Sequence, residues 1–127
     1  MVSLNPAQVI GVRVGPIVHL GIVSDRFANG EPMVISNSLR AGGVAEEPLS
    51  VFQGRYLLVP VSLPRVLPAG HILSLARQKL GSRWNLLSWN CEHFVHWAYG
   101  LGLKSPQLDR ASVLVGLTVF LISIGKA

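Results

Sequence analysis

The 127-residue chain is poor in cysteine and in charged residues. Its one cysteine, Cys91, excludes a disulfide scaffold within the chain and favours a reducing, cytoplasmic location. Only 13% of the residues are charged and 50% are hydrophobic, which excludes an intrinsically disordered chain. This length and apolar content predict a domain with a hydrophobic core of its own.

Acidic residues are also scarce, with 6 Asp and Glu against 11 Lys and Arg, so the formal net charge is +5. The basic residues are scattered and form no tract with interleaved aromatic residues, so we expect no nucleic-acid partner. The positive surplus has two readings that both stay open. It attracts the protein to an anionic membrane surface, or it keeps an apolar protein soluble.

The two ends of the chain differ in character. Residues 1–10 contain neither a basic leader nor a long apolar run, so they do not predict a secretory signal. Residues 111–125 carry no charge, and as a helix they would reach about 22 Å, short of the roughly 30 Å hydrocarbon core of a bilayer. We predict a domain over 1–104 and an apolar helix over 105–127. That helix would be covered by a membrane, by the fold or by an oligomer partner, and a membrane contact would make the protein peripheral or anchored.

The order of predicted elements, strands first and helices after, indicates an α+β fold. Turn residues occupy 24–32, between the first two strands, and Asn90 is a good helix N-cap. A second cap-plus-proline start is Ser105-Pro106. Strands are predicted over 17–23, 33–38 and 56–62, the last at a sheet edge because of Pro60, and helices over 48–53, 70–80 and from Asn90 to Gly100.

Cys91 follows the predicted cap Asn90 and so falls in the first turn of a helix. Free N–H groups and the positive end of the helix dipole favour a thiolate there, which predicts a lowered thiol pKa and a nucleophilic sulfur. The Cys91 amide would then help to hold an oxyanion. The alternative is that Cys91 is the first apolar residue of a buried stripe with Phe94, Val95 and Ala98.

A nucleophilic cysteine needs a base, and the chain has four histidines. His93 and His96 are off the Cys91 stripe of their helix and are expected on its exposed side or rim, and His71, which opens the preceding helix, is expected as a surface or capping residue. His19 interrupts an apolar strand, where an imidazole is costly unless it has partners. It is either a satisfied core residue or the base.

The register of the first hairpin selects a partner for His19. If its strands pair about a loop centred on Ala28, His19 lies opposite Asn37 with both side chains on one face. An amide there would orient the imidazole, as the third member of a triad does. A slip of one residue would bring up Ser36 instead.

The Asn-Cys-Glu-His-Phe box at 90–94 resembles the motif of the lecithin:retinol acyltransferase-like, or NC-domain, proteins. The strand His19–Val23 resembles the histidine box of that family, and the segments 45–54 and 85–87 add to the likeness. The resemblance covers roughly residues 14–100. The five-residue box is specific, whereas a His-x-Gly strand alone is weak.

This resemblance implies a circularly permuted papain-like fold over 1–104, whose antiparallel sheet carries the histidine and packs against the helix that carries the cysteine. It also implies a thioester acyl-enzyme, with Cys91 as nucleophile and His19 as general base. Lipid-active members carry a second histidine on the next strand, which here reads Val34-Ile35-Ser36-Asn37. Asn37 is the expected substitute, and the missing histidine leaves the substrate open.

We therefore expect a cysteine-dependent acyltransferase or hydrolase that acts on a lipid ester or amide, or on another acyl-bearing small molecule. The catalytic residues would be Cys91, His19 and Asn37. No cofactor is expected, and no metal, because one cysteine and separated histidines do not make a ligand set. The alternatives are a thiol peptidase or amidase, and a non-catalytic, membrane-associated interaction module.

Overall fold

The computed structural model describes residues 3–110, and the predicted apolar segment 111–125 lies outside the described residues. Within them, a five-stranded antiparallel sheet has the strand order β4-β3-β2-β1-β5, and the predicted α+β class is confirmed. The strands are β1 (Val9–Val14), β2 (Ile17–Ala28), β3 (Glu31–Ser38), β4 (Gly43–Pro48) and β5 (Leu58–Pro60), and the helices are α1 (Leu49–Gln53), α2 (Ala69–Gln78) and α3 (Cys91–Ala98).

The β2–β3 hairpin is longer than predicted, and the loop predicted over 24–32 is wrong. β2 continues to Ala28, and Ala28 pairs with Glu31 across a tight turn. Asn29 and Gly30 occupy this turn with φ angles of 52° and 80°. Asparagine and glycine tolerate this left-handed conformation, and such a turn matches the twist of paired strands.

The register of this hairpin also differs from the expected one. A bulge between Val23 and Phe27 shifts the ladder, so that Gly21 pairs with Ser36. The predicted pairing of His19 with Asn37 is therefore wrong. Successive side chains of a strand point to opposite faces, and this register puts Asn37 and His19 on opposite faces of the sheet.

Each face of the sheet has its own core. Leu20, Ile22 and Ile35 pack with α2 and α3 on one face. The other face packs on α1 through Phe52. His19 lies on this second face, because its cross-strand partner on β1 is Val12, a member of the Phe52 cluster.

Helix α3 begins where the sequence predicts. The Asn90 side chain accepts hydrogen bonds from the backbone N–H of Glu92 at 2.9 Å and of His93 at 3.2 Å. The His93 ring completes a capping box, because its Nδ1 accepts from the Asn90 N–H at 3.0 Å. The expectation of exposed positions for His93 and His96 is wrong. Both are buried, and His96 Nδ1 lies 2.8 Å from the Glu92 carbonyl oxygen.

After α3 the chain returns to the sheet through residues 101–105. It is helical again over 106–110, as the Ser105-Pro106 start predicts, with the Asp109 N–H donating to the Ser105 carbonyl at 2.9 Å. In the described part of the chain, none of the helices has the length and apolar character needed to cross a bilayer.

Candidate active site

Cys91 and His19 line the same cavity, which has a volume of about 630 Å³. Its walls come from β2, α1 and the N-terminal end of α3, and they are mostly apolar, with Phe52, Tyr56 and Leu86 among them. A second cavity of about 720 Å³ is lined by Glu92 and Gln107 but by neither Cys91 nor His19. The smaller cavity is therefore the candidate active site.

The Cys91 thiol is buried at the first turn of α3, with 9% of the residue exposed. Burial raises the pKa of the thiol, and the negative charge of Glu92 raises it further. The backbone N–H groups of Leu20, Glu92 and Cys91 itself oppose this by lowering the pKa. The expectation of a lowered thiol pKa is wrong, because the helix terminus is covered by the rest of the fold.

His19 occupies an apolar setting beside Phe52. Burial lowers the pKa of its imidazole to about 4, the positive charge of Arg40 lowers it as well, and Glu47 acts in the opposite sense. Arg40 and Glu47 form an ion pair with each other. The imidazole is therefore neutral at neutral pH, and the resting site holds a neutral thiol and a neutral base.

Asn37 supports the cysteine side of the site instead of the histidine side. It is fully buried, and its Nδ2 donates to the carbonyl oxygens of Trp89 at 2.8 Å and of Asn90 at 3.3 Å. Within residues 3–110, no donor reaches its Oδ1. Asn37 thus holds the residues that lead into α3. Among the hydrogen bonds of the described residues, none joins the His19 ring to Asn37 or to Cys91.

β2 has a free edge beyond its last pair with β3, which is Gly21 with Ser36. The Leu20 backbone N–H at this edge lowers the pKa of the Cys91 thiol, and among the described residues no hydrogen bond joins the two groups. The neighbouring groups of this edge are paired with a side chain. The Gln107 side chain accepts from the Val18 N–H at 2.9 Å and donates to the Val18 carbonyl at 2.8 Å.

Gln107 and Glu92 are the site residues that sequence reasoning missed. Glu92 Oε1 accepts from the Ser105 hydroxyl at 3.0 Å and from the Gln107 N–H at 2.7 Å. Glu92 belongs to the Asn-Cys-Glu-His-Phe box, so the motif singled out its position but did not predict that it binds Ser105 and Gln107. Gln107 carries no local signal, because Val18 lies 89 residues away in the chain.

The histidines other than His19 do not line this cavity. His71 is exposed on α2, His93 belongs to the capping box, and His96 faces the second cavity. The structure therefore brings one predicted base into the cavity of the predicted nucleophile.

Two comparisons with known proteins identify no relative of this chain. A scan against protein-family models finds no match, and a search of curated proteins finds no significant one.

Proposed function

We propose that the protein is a cysteine-dependent acyltransferase or hydrolase of the lecithin:retinol acyltransferase-like type. The observation that carries this proposal is the cavity that Cys91 and His19 share. The resemblance of the box at 90–94 supports it independently. A permuted papain-like fold, in which the histidine strand precedes the cysteine helix, is part of the same proposal.

In the first half of the reaction, neutral His19 takes the proton of the Cys91 thiol as the sulfur attacks the acyl carbonyl carbon. A carbon–sulfur bond forms, and the carbonyl oxygen becomes an oxyanion held by the Cys91 N–H. The imidazolium then protonates the leaving alcohol or amine as its bond to the acyl carbon breaks. The product is a thioester on Cys91.

In the second half, an acceptor hydroxyl, amine or water gives its proton to His19 and attacks the thioester. The carbon–sulfur bond breaks, and the sulfur recovers its proton from the imidazolium. An alcohol or amine acceptor makes the protein a transferase, and water makes it a hydrolase.

Because the thiol and the imidazole are both neutral at rest, we propose that the proton moves to His19 as the sulfur attacks. A thiolate–imidazolium pair formed before the substrate binds is not part of this mechanism. A rotation of the His19 ring or one intervening water carries the proton, since no hydrogen bond among the described residues joins the two groups. The Leu20 N–H, which lowers the pKa of the thiol, stabilises the negative charge that develops on the sulfur, whereas the Glu92 N–H already donates to the Asn90 side chain.

The cavity favours an acyl chain over a peptide. Its lining is largely apolar, and exposed apolar side chains stand at its rim, including Ile17, Leu39 and Leu86. A lipid ester offers the apolar area that such walls bury. We therefore propose a lipid ester or amide as the substrate class.

A second candidate function is a non-catalytic interaction module, and the raised pKa of the Cys91 thiol favours it. In that case the apolar cavity would bind an acyl chain or a partner side chain with no covalent step.

Intact-mass spectrometry after incubation with p-nitrophenyl esters of short and long acyl chains separates the two candidates. The enzyme forms a thioester adduct that hydroxylamine removes. Cys91→Ala abolishes the adduct, and His19→Ala reduces its rate of formation about 100-fold or more. His71→Ala, an exposed histidine outside the cavity, is the matched control and forms the adduct at the wild-type rate. An adduct that persists in Cys91→Ala excludes this nucleophile, and no adduct in the wild type favours the module.

A further inference from the structure

We infer that Gln107 is a positioning residue, which holds the free edge of β2 so that His19 stays in the cavity that it shares with Cys91. This inference rests on the proposed function for its catalytic consequence only. Its structural part is that the Gln107 side-chain amide pairs with the Val18 backbone as a neighbouring strand would, and this part rests on contacts among described residues.

A side chain pairs the free edge of β2. Along a strand, residues two apart direct their N–H and C=O groups to the same side, so Val18 and Leu20 share the edge beyond the last pair with β3. A side-chain amide carries one donor and one acceptor, as a backbone peptide does. Gln107 uses both on Val18 and so pairs this edge in place of a strand.

Gln107 is held in turn by residues next to Cys91 in the chain. Its own N–H donates to Glu92 Oε1 at 2.7 Å, and the Ser105 hydroxyl donates to the same oxygen at 3.0 Å. The Asn90 side chain in turn donates to the Ser105 hydroxyl at 3.0 Å. Asn90 and Glu92 flank Cys91 in the chain. The two neighbours of the proposed nucleophile therefore hold Gln107, which binds the strand that carries His19.

Gln107 contacts Val18, which precedes His19 in β2. Gln107, His19 and Cys91 also line the same cavity. Loss of the Gln107 contacts frees the strand beside the base. A displacement of about 1 Å at a reacting group can cost about 100-fold in rate.

Charged and titratable groups surround the sulfur on several elements. Glu92 stands on the same helix, His93 is in the capping box, His19 comes from β2 across the cavity, and Arg40 and Tyr56 line the same cavity. The Glu92 charge raises the pKa of the Cys91 thiol, and the Leu20 backbone N–H lowers it. Glu92→Gln is therefore expected to lower this pKa, and a displacement of Leu20 in Gln107→Ala is expected to raise it.

The experiment compares Gln107→Ala and the shorter amide Gln107→Asn with Gln78→Ala, an exposed glutamine on α2 that serves as the matched control. Three readouts are taken on folded protein: hydrogen exchange of the Val18 and Leu20 amides, the pH dependence of Cys91 alkylation by iodoacetamide, and kcat and KM for a p-nitrophenyl ester.

We expect Gln107→Ala to speed exchange at Val18 and Leu20, to move the alkylation curve to higher pH and to lower kcat about 10- to 100-fold with KM nearly unchanged. Gln107→Asn does the same to a smaller extent, and Gln78→Ala does none of these. Glu92→Gln keeps an oxygen for Gln107 and Ser105, so it preserves the protection of Val18 and moves the alkylation curve to lower pH.

Wild-type exchange rates and a wild-type alkylation curve in Gln107→Ala would overturn the inference. A uniform loss of folded protein with an unchanged alkylation curve would also overturn it, because it would show a purely structural role. If the wild type has no Cys91-dependent turnover, the proposed function fails. The exchange and alkylation readouts still decide the role of Gln107 in that case.

Discussion

The rings of Phe52 and His19 lie 5.2 Å apart, centroid to centroid, with 33° between their planes. Phe52 comes from the short helix α1, which follows β4 and covers the face of the sheet that carries His19. This aromatic ring lies against the imidazole and contributes to the burial that lowers its pKa. A helix that carries no other catalytic candidate thus contributes to the protonation state of the proposed base.

Alkylation of Cys91 is expected to increase with pH and to be still rising at pH 9.0, the ordinary pKa of a thiol, because burial raises the pKa of this one. Since Cys91 is the only cysteine, total incorporation of iodoacetamide measures its rate directly. Unfolded protein in urea is the control and should level off at lower pH. A plateau near neutral pH in the folded protein would show a thiolate–imidazolium pair at rest and contradict the neutral pair.

Folding stability is expected to fall as the pH drops from 7 to 5. The His19 pKa is lowered from 6.5 to about 4, so in this range the unfolded chain binds a proton that the folded chain does not. The expected loss in the free energy of unfolding is about 2 kcal/mol, measured by urea denaturation. Asp25 and Glu46 also have lowered pKa values, and their contribution to the free energy of unfolding is lost at more acidic pH.

The control for this measurement is His19→Asn, which cannot titrate. Burial also lowers the pKa of His93, so a smaller loss of the same sign remains in the variant. Equal pH dependence in the two proteins would show that His19 has an ordinary pKa.

Asn37→Ala is expected to destabilise the fold by about 1–2 kcal/mol, because it removes two buried hydrogen bonds to the carbonyls of Trp89 and Asn90, which keep only their backbone donors, the N–H groups of Asn85 and Phe94. Asn37→Asp is expected to be worse, since it places oxygen where a donor is needed. Urea denaturation measures both, with the exposed Asn5→Ala as control. If Asn37→Ala instead leaves stability intact and changes the NMR titration of the His19 ring, Asn37 orients the base as the sequence predicted.

Gly21→Ala is expected to disturb the base by displacing Phe52. A Cβ at Gly21 would lie 2.6 Å from Val34 Cγ1 and 2.8 Å from Phe52 Cε2, closer than packed atoms tolerate. We expect a loss of about 1–3 kcal/mol in stability and a rise in the His19 pKa as the ring moves away. Gly70→Ala on α2 has open space around the new Cβ and is the control. An unchanged His19 titration would show that Phe52 does not set this pKa.

Features with local signals were predictable from the sequence. The N-cap Asn90 and helix α3 follow from residues a few positions apart, and the structure has both. The helix predicted over 70–80 appears as Ala69–Gln78. The strand predicted over 56–62 shrinks to Leu58–Pro60, at the sheet edge that Pro60 indicated.

Features that depend on distant contacts were not predictable. The register of the hairpin was missed because a bulge, which changes no residue type, shifts the pairing before it reaches Gly21. β4 was missed because Gly43–Pro48 has no apolar alternation, and its backbone pairs with all of Met33–Ser38. The thiol pKa was missed because the burial of Cys91 is a tertiary property, which a helix position alone does not contain.

The grip of Gln107 on Val18 has a mechanical consequence. Gln107 links two elements at once, because its side chain bonds Val18 of β2 while its own N–H donates to Glu92 of α3. A displacement of residue 107 would therefore be transmitted both to the strand of the imidazole and to the helix of the thiol, so that the two halves of the site move as a unit.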